Sequence, residues 1–356
     1  MKNATAAWRD LIHKPFFWGI IAIAALLVLN VLKDPSYLAI SVNPNNGNLV
    51  GNVIDILRQA APIMMIAIGM SLVIATAGID LSVGSMMAVA GAVSMEFLSG
   101  AGADGSVGAA VAAIGLSLLV TAVLGAVNGV LVAYVGLQPF IATLVLMLAG
   151  RGIAKVITGG QNTAASNESY RWIANGYVLG IPVVFILALA IVIAVAWVVR
   201  RSALGLMIEA IGINPRASRM AGIKPRGLLL TAYILSGVLA GVAGVMSVGS
   251  VMTVDISRTG YQLELDAILA VVIGGASLMG GKFSLSGAFV GALLIATLDK
   301  TVLFLGVSSS ATPAFKALVI IVICLLQSPR VRAWFRRRRA TVDSRSVETP
   351  KKEVAA

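Results

Sequence analysis

The sequence predicts an all-α integral membrane protein, and three observations support this fold class. Of its 356 residues, 58% are hydrophobic and only 12% are charged, with a mean hydropathy of +0.95. Because a soluble domain has about 25% charged residues, most of this surface must face lipid. The apolar residues form runs of roughly 20, the length a helix needs to cross a bilayer. The basic residues gather on one side of these runs.

Ten apolar runs meet or nearly meet the spanning length, which predicts about ten transmembrane helices. Some breaks between them are only three residues long, notably 78–80 and 136–138. One run is therefore compatible with a re-entrant or broken helix that is enclosed by protein. The 37 glycines allow such helices to approach one another closely. The predicted spans are 16–32, 60–77, 81–98, 108–135, 139–158, 179–199, 227–250, 264–280, 284–306 and 313–327.

The basic residues predict the orientation of these spans. Nineteen of the 27 Lys and Arg residues fall on one predicted side: before residue 16, within 200–226, at Lys282 and after residue 327. This is the positive-inside pattern, and it predicts that both termini lie in the cytosol. It also explains the net charge of +12 without nucleic-acid binding. The opposite loops hold only Lys33, Arg58, Arg171 and Arg258.

Three regions follow from this pattern. Residues 1–15 form a predicted cytosolic N-terminal segment, 16–327 the transmembrane domain, and 328–356 a basic, disordered cytosolic tail. The first span is predicted to be an uncleaved anchor, since no convincing cleavage motif precedes Lys33. The external loops are too short to be domains, so a module that captures a substrate would be a separate chain.

Catalytic and nucleotide-binding motifs are not apparent. The chain has one histidine, His13, and one cysteine, Cys324, which excludes a Cys/His zinc cluster and a histidine acid–base pair. The segment 274–283 resembles a phosphate-binding loop, but Ala276 and Phe283 replace its first glycine and its hydroxyl residue. It is predicted to be a glycine-rich turn at the cytosolic face. The chain itself is therefore predicted to bind no cofactor or metal.

Polar residues inside the apolar region have two interpretations. An aspartate at the centre of a membrane helix costs about 2.5–3.5 kcal/mol, so Asp80 either caps the helix that follows it or lines a wet path, and the two roles are compatible. Amides and hydroxyls in spans likewise either bond helix to helix or contact a solute. The predicted path residues are Asp80, Ser82, Asn128, Gln138 and Thr143.

Two carboxylates begin the predicted span 264–280. Glu264 and Asp266 suit the positive end of the helix dipole. Alternatively, they lie at the external mouth and contact a basic patch of an extracellular or periplasmic binding protein. The adjacent Asp299 and Lys300 are predicted to neutralise each other or to form an interface pair.

The segment 202–223 is polar and helix-compatible, and five arginines lie between Arg200 and Arg226. Such a loop is expected to lie in the cytosol along the membrane. Its Glu209-Ala210-Ile211-Gly212 sequence resembles the coupling segment by which an ABC-importer permease contacts its ATPase, although Ile211 departs from the fuller Glu-Ala-Ala form. The predicted coupling residues are Glu209, Ala210, Gly212 and Asn214.

Together, four segments resemble the permeases of ribose-type monosaccharide ABC importers, most similarly those for galactofuranose and fructose. They are 68–84, 138–144, 208–214 and 265–275, within a resemblance that covers about 55–328. The resemblance implies a permease of the vitamin B12-importer type with about ten helices. It also implies a second, paralogous permease, a sugar-binding protein and an ABC ATPase, often with two nucleotide-binding domains, which uses ATP and Mg. Such permeases work by alternating access.

The predicted function is thus a non-catalytic permease subunit of a monosaccharide importer, with fructose as the expected sugar, in the cytoplasmic membrane of a bacterium. Three alternatives stay open at this point. A stand-alone secondary transporter or channel would show intramembrane coupling charges and repeated halves. A membrane enzyme would need a catalytic constellation. A branched-chain amino-acid permease would need groups that pair with a zwitterion.

Overall fold

The computed structural model describes residues 15–44, 47–101, 105–308 and 310–327. The chain divides into two compact units, one up to Val307 and one from Ser308. The second unit contributes the helix Thr312–Gln327 to the described residues, and all contacts discussed below lie in the first. The predicted tail 328–356 and nearly all of the predicted segment 1–15 lie outside the described residues.

Helices make up most of the described chain, and short strands occupy some of the loops. The helices are α1 Pro15–Lys33, α2 Asn52–Ala75, α3 Val83–Gly100, α4 Val107–Val130 with a π-helical turn Leu131–Val135, α5 Pro139–Ile157, α6 Glu168–Asn175, α7 Val183–Arg201, α8 Leu204–Ile213, α9 Pro215–Met220, α10 Pro225–Val251, α11 Leu263–Ile273, α12 Leu285–Leu305 and α13 Thr312–Gln327. Three antiparallel pairs join β1 Ser41–Val42 to β2 Leu49–Val50, β3 Thr163–Ala164 to β6 Thr253–Val254, and β4 Tyr177–Val178 to β5 Ile181–Pro182.

Eight helices of the described residues are long and apolar enough to cross a membrane, namely α1, α2, α3, α4 with its π-turn, α5, α7, α10 and α12. This agrees with an all-α membrane protein but is two fewer than the ten predicted spans. The predicted span 264–280 is wrong in length, because α11 has only 11 residues. It ends at Ile273, two residues before Gly275, whose φ of +93° is a conformation that other residues rarely adopt. The predicted span 313–327 corresponds to α13, which has 16 residues.

The bundle has two distinguishable ends. The strand end carries the short β pairs, and it also carries α6, where Asn175 Nδ2 donates to the Ser250 carbonyl oxygen at 2.8 Å. The opposite end, called the α8–α9 end, carries those two helices and the glycine turn 274–281. There the Gly281 amide donates to the carbonyl oxygen of Ala75, the last residue of α2, at 2.9 Å.

The segment between α10 and α12 crosses the bundle although α11 is short. It begins with β6 at the strand end, continues as non-helical chain to Gln262, and reaches the α8–α9 end through α11. We call 252–262 the re-entrant segment, because it folds back into the bundle from the strand end before α11 completes the crossing. Its Gly260 touches Gly84 backbone to backbone, since a Cβ on either glycine would collide with the other residue. The helices α3 and α11 therefore begin side by side inside the bundle and run to opposite ends.

Small residues decide how closely the helices pack. The most apolar stretches of α2 and α3 are each 78% buried, which places these two helices at the centre. Glycines let α4 approach α10: a Cβ on Gly125 would lie 2.5 Å from the Tyr233 carbonyl oxygen, and one on Gly237 would collide with Thr121. Gly237 and Gly241 have the four-residue spacing that brings membrane helices together.

The strand end is closed in part by α6. Asn167 caps this helix by accepting a hydrogen bond from the Tyr170 amide at 2.8 Å. The Tyr170 side chain is fully buried, and its hydroxyl bonds Ser94 of α3 at 3.0 Å. Burial raises the pKa of the Tyr170 phenol above its ordinary range. The phenol therefore stays protonated and links α6 to the central helix α3.

Candidate functional site

A cluster of buried polar side chains lies where α3 begins. One carboxylate oxygen of Asp80 accepts the Ser82 amide at 3.0 Å, and the other accepts the Ser236 hydroxyl of α10 at 2.8 Å. Asn128 of α4 donates to the Ser82 hydroxyl at 2.9 Å. All four side chains are completely buried. The cluster therefore joins α4 and α10 to the chain that leads into α3.

Two other predicted path residues lie apart from these bonds. Thr143 of α5 is buried and donates to the Ile79 carbonyl oxygen at 3.0 Å, which ties a third helix to the same chain segment. Gln138 is exposed just before α5, at the α8–α9 end. Four of the five predicted residues thus gather in one place, where their geometry favours helix-to-helix bonding. Their contact with a solute stays a prediction.

The structure changes the interpretation of Glu264 and Asp266. The two interpretations were an acidic helix start and an external pair that contacts a binding protein. In the structure α11 begins inside the bundle, and Asp266 is only 7% exposed. Glu264 is half-buried against Gly84, where a Cβ would collide with its carboxylate. Both residues lie in the first turn of α11, which agrees with the helix-dipole interpretation. Their contact with a binding protein stays a prediction.

Arg151 of α5 is a site residue that the sequence analysis did not single out. Its Nη1 donates to the carbonyl oxygens of Ile256 and Thr259 at 2.8 and 2.6 Å. These bonds fasten the re-entrant segment to α5. A charged residue in an apolar run is the signal that was available, because such residues are costly unless they have a specific partner.

Lys300, predicted to pair with Asp299 or to form an interface pair, has a partner on another helix. The Lys300 ammonium donates to Asp55 of α2 at 2.6 Å. Neighbouring residues on a helix point in different directions, so Lys300 reaches another helix and joins α12 to α2.

The α8–α9 end has a short linker between its two helices. Asn214 occupies the linker, and its side chain accepts the amides of Arg216 and Ala217, each at 3.0 Å. Asn214 thereby caps the start of α9, which begins at Pro215. Ile208 and Ile211 are buried beneath α8. The predicted coupling segment is therefore a helix–linker–helix that rests on the bundle.

Gly212 sits at the tightest contact of this end. A Cβ there would collide with the Ala75 carbonyl oxygen and lie 2.5 Å from the Gly281 nitrogen. Ala210 is half-buried. Glu209, also half-buried, lines a cavity of about 320 Å³ with Arg200 and Phe283. Gly212 thus lies against the chain's own helices, whereas Glu209 and Ala210 keep part of their surface exposed. Large apolar side chains of this end, missed from sequence, are exposed: Leu206, Ile213, Met220 and Met279.

The segment 274–283 forms the predicted turn. The Ser277 amide donates to the Lys282 carbonyl oxygen at 2.9 Å, and the segment follows a helix rather than a strand. Among the described residues, no group of three or more His, Cys, Asp or Glu side chains is placed to hold a metal ion. A Cβ on Gly280 would collide with Ala77 and one on Gly281 with Ile213, so the tight packing of this turn requires both glycines.

Comparison with known proteins identifies transport permeases as relatives of this chain. The family described as "Branched-chain amino acid transport system / permease component" matches residues 52–326. The chain is 51% identical over 340 residues to the fructose import permease protein FruF of Bifidobacterium longum, covering 93% of this chain and 94% of that protein. It is 41% identical to the galactofuranose transporter permease protein YtfT of Escherichia coli, covering 87% and 89%. It is 36% identical to the ribose import permease protein RbsC of the same organism, covering 93% and 100%. No solved structure shows a significant match.

Proposed function

We propose that this chain forms part of the membrane path of an ATP-driven fructose importer. The chain belongs to the family "Branched-chain amino acid transport system / permease component" and, within it, to the ribose-type monosaccharide ABC-importer permeases. It is a multi-pass, non-catalytic subunit of a sugar importer. Fructose is supported by the name of a relative that is 51% identical. The sugar relatives disfavour both the secondary transporter and the amino-acid permease as alternatives.

Permeases of this family imply an ATPase and a substrate-binding protein. We propose that the ATPase carries two nucleotide-binding domains and uses ATP and Mg, and that a second, paralogous permease completes the path. The strand end would face the sugar-binding protein outside the cytoplasmic membrane of a bacterium. Both termini and the α8–α9 end would face the cytosol, in line with six basic residues within 200–226.

The observation that carries this proposal is the junction at Gly212. At this junction, α8 contacts both the last residue of α2 and the glycine turn that follows α11. Movement of α8 and α9 by the ATPase would therefore reach α2 and α11 directly. Because packed elements shift between discrete arrangements rather than deform smoothly, this junction suits alternating access. Glu209, Ala210, Gly212 and Asn214 would shape the coupling segment, and the exposed apolar side chains around them would enter the ATPase.

The test places a charge in that apolar surface. We expect Ile213→Asp combined with Met220→Asp to abolish both sugar uptake and co-purification of the ATPase, because Met220 is 91% exposed and a buried unpaired charge opposes docking. Leu179→Asp is the matched control, since Leu179 is 94% exposed at the strand end. It should keep the ATPase bound. Retention of the ATPase and of uptake by the double variant would reject the coupling assignment.

A further inference from the structure

Two polar side chains are exposed part-way along the bundle, between its two ends. Tyr261 is 64% exposed, and the neighbouring Gln262 is exposed as well. They form the tip of the re-entrant segment, directly before α11 begins at Leu263. Resting on the proposed function, we propose that Tyr261 and Gln262 contact the sugar as it passes through the translocation path.

The depth of this tip follows from two helices. The 11 residues of α11 span about 16 Å, and the helix ends at the α8–α9 end, so its start lies about half of a 30 Å core away. Gly260 touches Gly84, two residues after Ser82. The Asp80 cluster reaches Ser236, which lies 11 residues after the start of α10 and 15 before its end. Both measures, the length of α11 and the position of Ser236 along α10, place the tip near the middle.

The α5 helix gives an independent measure. Arg151, which holds the re-entrant segment, lies 12 residues after the start of this 19-residue helix and 6 before its end. Its other bond goes to Thr259, two residues before Tyr261. Arg151 is therefore about 18 Å from one end of α5 and about 9 Å from the other. The tip lies inside both interfaces, where a tyrosine or glutamine would otherwise meet lipid head groups and water.

Lipid cannot cover these side chains without cost. Hydrocarbon offers no partner to an amide or a phenol, and each unsatisfied group costs several kcal/mol. Among the described residues, the Gln262 side-chain amide donates one long hydrogen bond, at 3.5 Å, to the Tyr261 hydroxyl. An aqueous path satisfies both groups, whereas a dry helix face does not.

The surface of α4 at a similar depth shows the contrast. Its exposed side chains there are apolar: Leu119, Val123 and Val127. Gly125, in the same turn, packs on Tyr233 three residues before Ser236, which fixes the height of this stripe. The exposed side chains of α4 at this level are thus apolar, in contrast to those of the tip.

The chemistry at the tip suits a monosaccharide. An aromatic ring offers an apolar face to the C–H groups of a sugar, and an amide both donates to and accepts from hydroxyls. The Glu264 Oε2 atom, in the first turn of α11, is buried and has no hydrogen-bond partner among the described residues. Gln262 also adopts φ +61°, which is uncommon for a residue other than glycine, and strain of this kind often accompanies binding sites.

The first experiment tests whether the tip is wet. Because the chain has one cysteine, Cys324→Ser provides a background for Tyr261→Cys and for the control Val123→Cys, both assembled with the ATPase, the second permease and the binding protein. A small, charged, membrane-impermeant thiosulfonate should modify Tyr261→Cys and block uptake, and should leave Val123→Cys unmodified. A Tyr261→Cys that stays unmodified in the assembled complex would overturn the proposal, because the tip would then be packed or in lipid.

The second experiment tests contact with the sugar. We measure fructose transported per ATP hydrolysed in proteoliposomes that hold the complete importer. Tyr261→Ala should lower this ratio about tenfold through loss of the ring, while Tyr261→Phe stays near wild type. An unchanged ratio for Tyr261→Ala would refute sugar contact. Failure of the proposed function is distinguishable, since wild type itself would then transport no sugar or recruit no ATPase.

Discussion

Arg151 shows how one side chain organises the centre of this permease. It carries a charge into an apolar helix and satisfies it with two backbone carbonyls of the re-entrant segment. Hydrogen bonds to charged groups contribute about 1.5–3 kcal/mol each. Since 252–262 has little regular structure beyond β6, we conclude that Arg151 substitutes for the missing helical bonds in holding the sugar-facing tip in place.

This role predicts a local effect of substitution. Arg151→Met keeps much of the side-chain volume but removes both bonds, so the amides of 255–262 should exchange with deuterium at least tenfold faster. Hydrogen exchange with mass spectrometry measures this in the purified complex. The control Arg171→Met changes an exposed residue of α6 and should leave the segment protected. Equal protection in Arg151→Met and wild type would contradict the role.

Residues of the central cluster were predictable in kind but not in contact. The sequence placed Asp80, Ser82, Asn128 and Thr143 in apolar surroundings, which correctly marked them as needing partners. Which partners they find depends on helix packing, since Ser236 lies 156 residues from Asp80. Sequence periodicity carries no information about such distant contacts. Hence the bonded cluster could be found only in the structure.

At the scale of helices, close packing of α4 against α10 depends on glycine. A side chain at Gly237 would enter the backbone of α4 at Thr121. Insertion of bulk into a packed contact costs about 1–3 kcal/mol or more when the backbone must shift. These two helices also carry Asn128 and Ser236, so their separation would open the polar cluster.

We therefore expect Gly237→Leu to lower the unfolding temperature of the detergent-purified protein by several degrees and to reduce uptake. Gly227→Leu is the matched control on the same helix, because a Cβ there meets no atom within 4 Å. Both changes raise helix propensity equally. Thermal unfolding followed by size-exclusion chromatography reports the difference. If both variants unfold alike, close approach at Gly237 does not stabilise the bundle.

Helix boundaries also show where sequence reasoning succeeds and fails. Long apolar runs predicted eight crossing helices to within several residues, because hydropathy directly reports burial in lipid. The predicted run 264–280 was equally apolar but became a short helix and a glycine turn. Hydropathy does not distinguish a long helix that faces lipid from a short one that is enclosed by protein. The glycines at 274, 275, 280 and 281 were the signal for the early stop.

For the whole molecule, the distribution of charge predicts which end faces the cytosol. In the Cys324→Ser background, Leu179→Cys at the strand end should react with an impermeant thiol reagent in intact cells. Met220→Cys at the α8–α9 end should react only after the membrane is permeabilised. Gel-shift labelling of the two variants measures this. The reverse pattern would invert the orientation and remove the ATPase from the coupling segment.

The meeting of Gly84 and Gly260 has a mechanical consequence. The helix that follows Gly84 runs to the strand end, where Ser94 bonds Tyr170, whereas the helix that follows Gly260 runs to the turn beneath Gly212. The two helices therefore meet at the centre of the bundle, while each is anchored at a different end. A displacement that starts at one end reaches the other helix through this glycine contact, against which the Glu264 carboxylate also lies. A residue larger than glycine at either position would force the two helices apart.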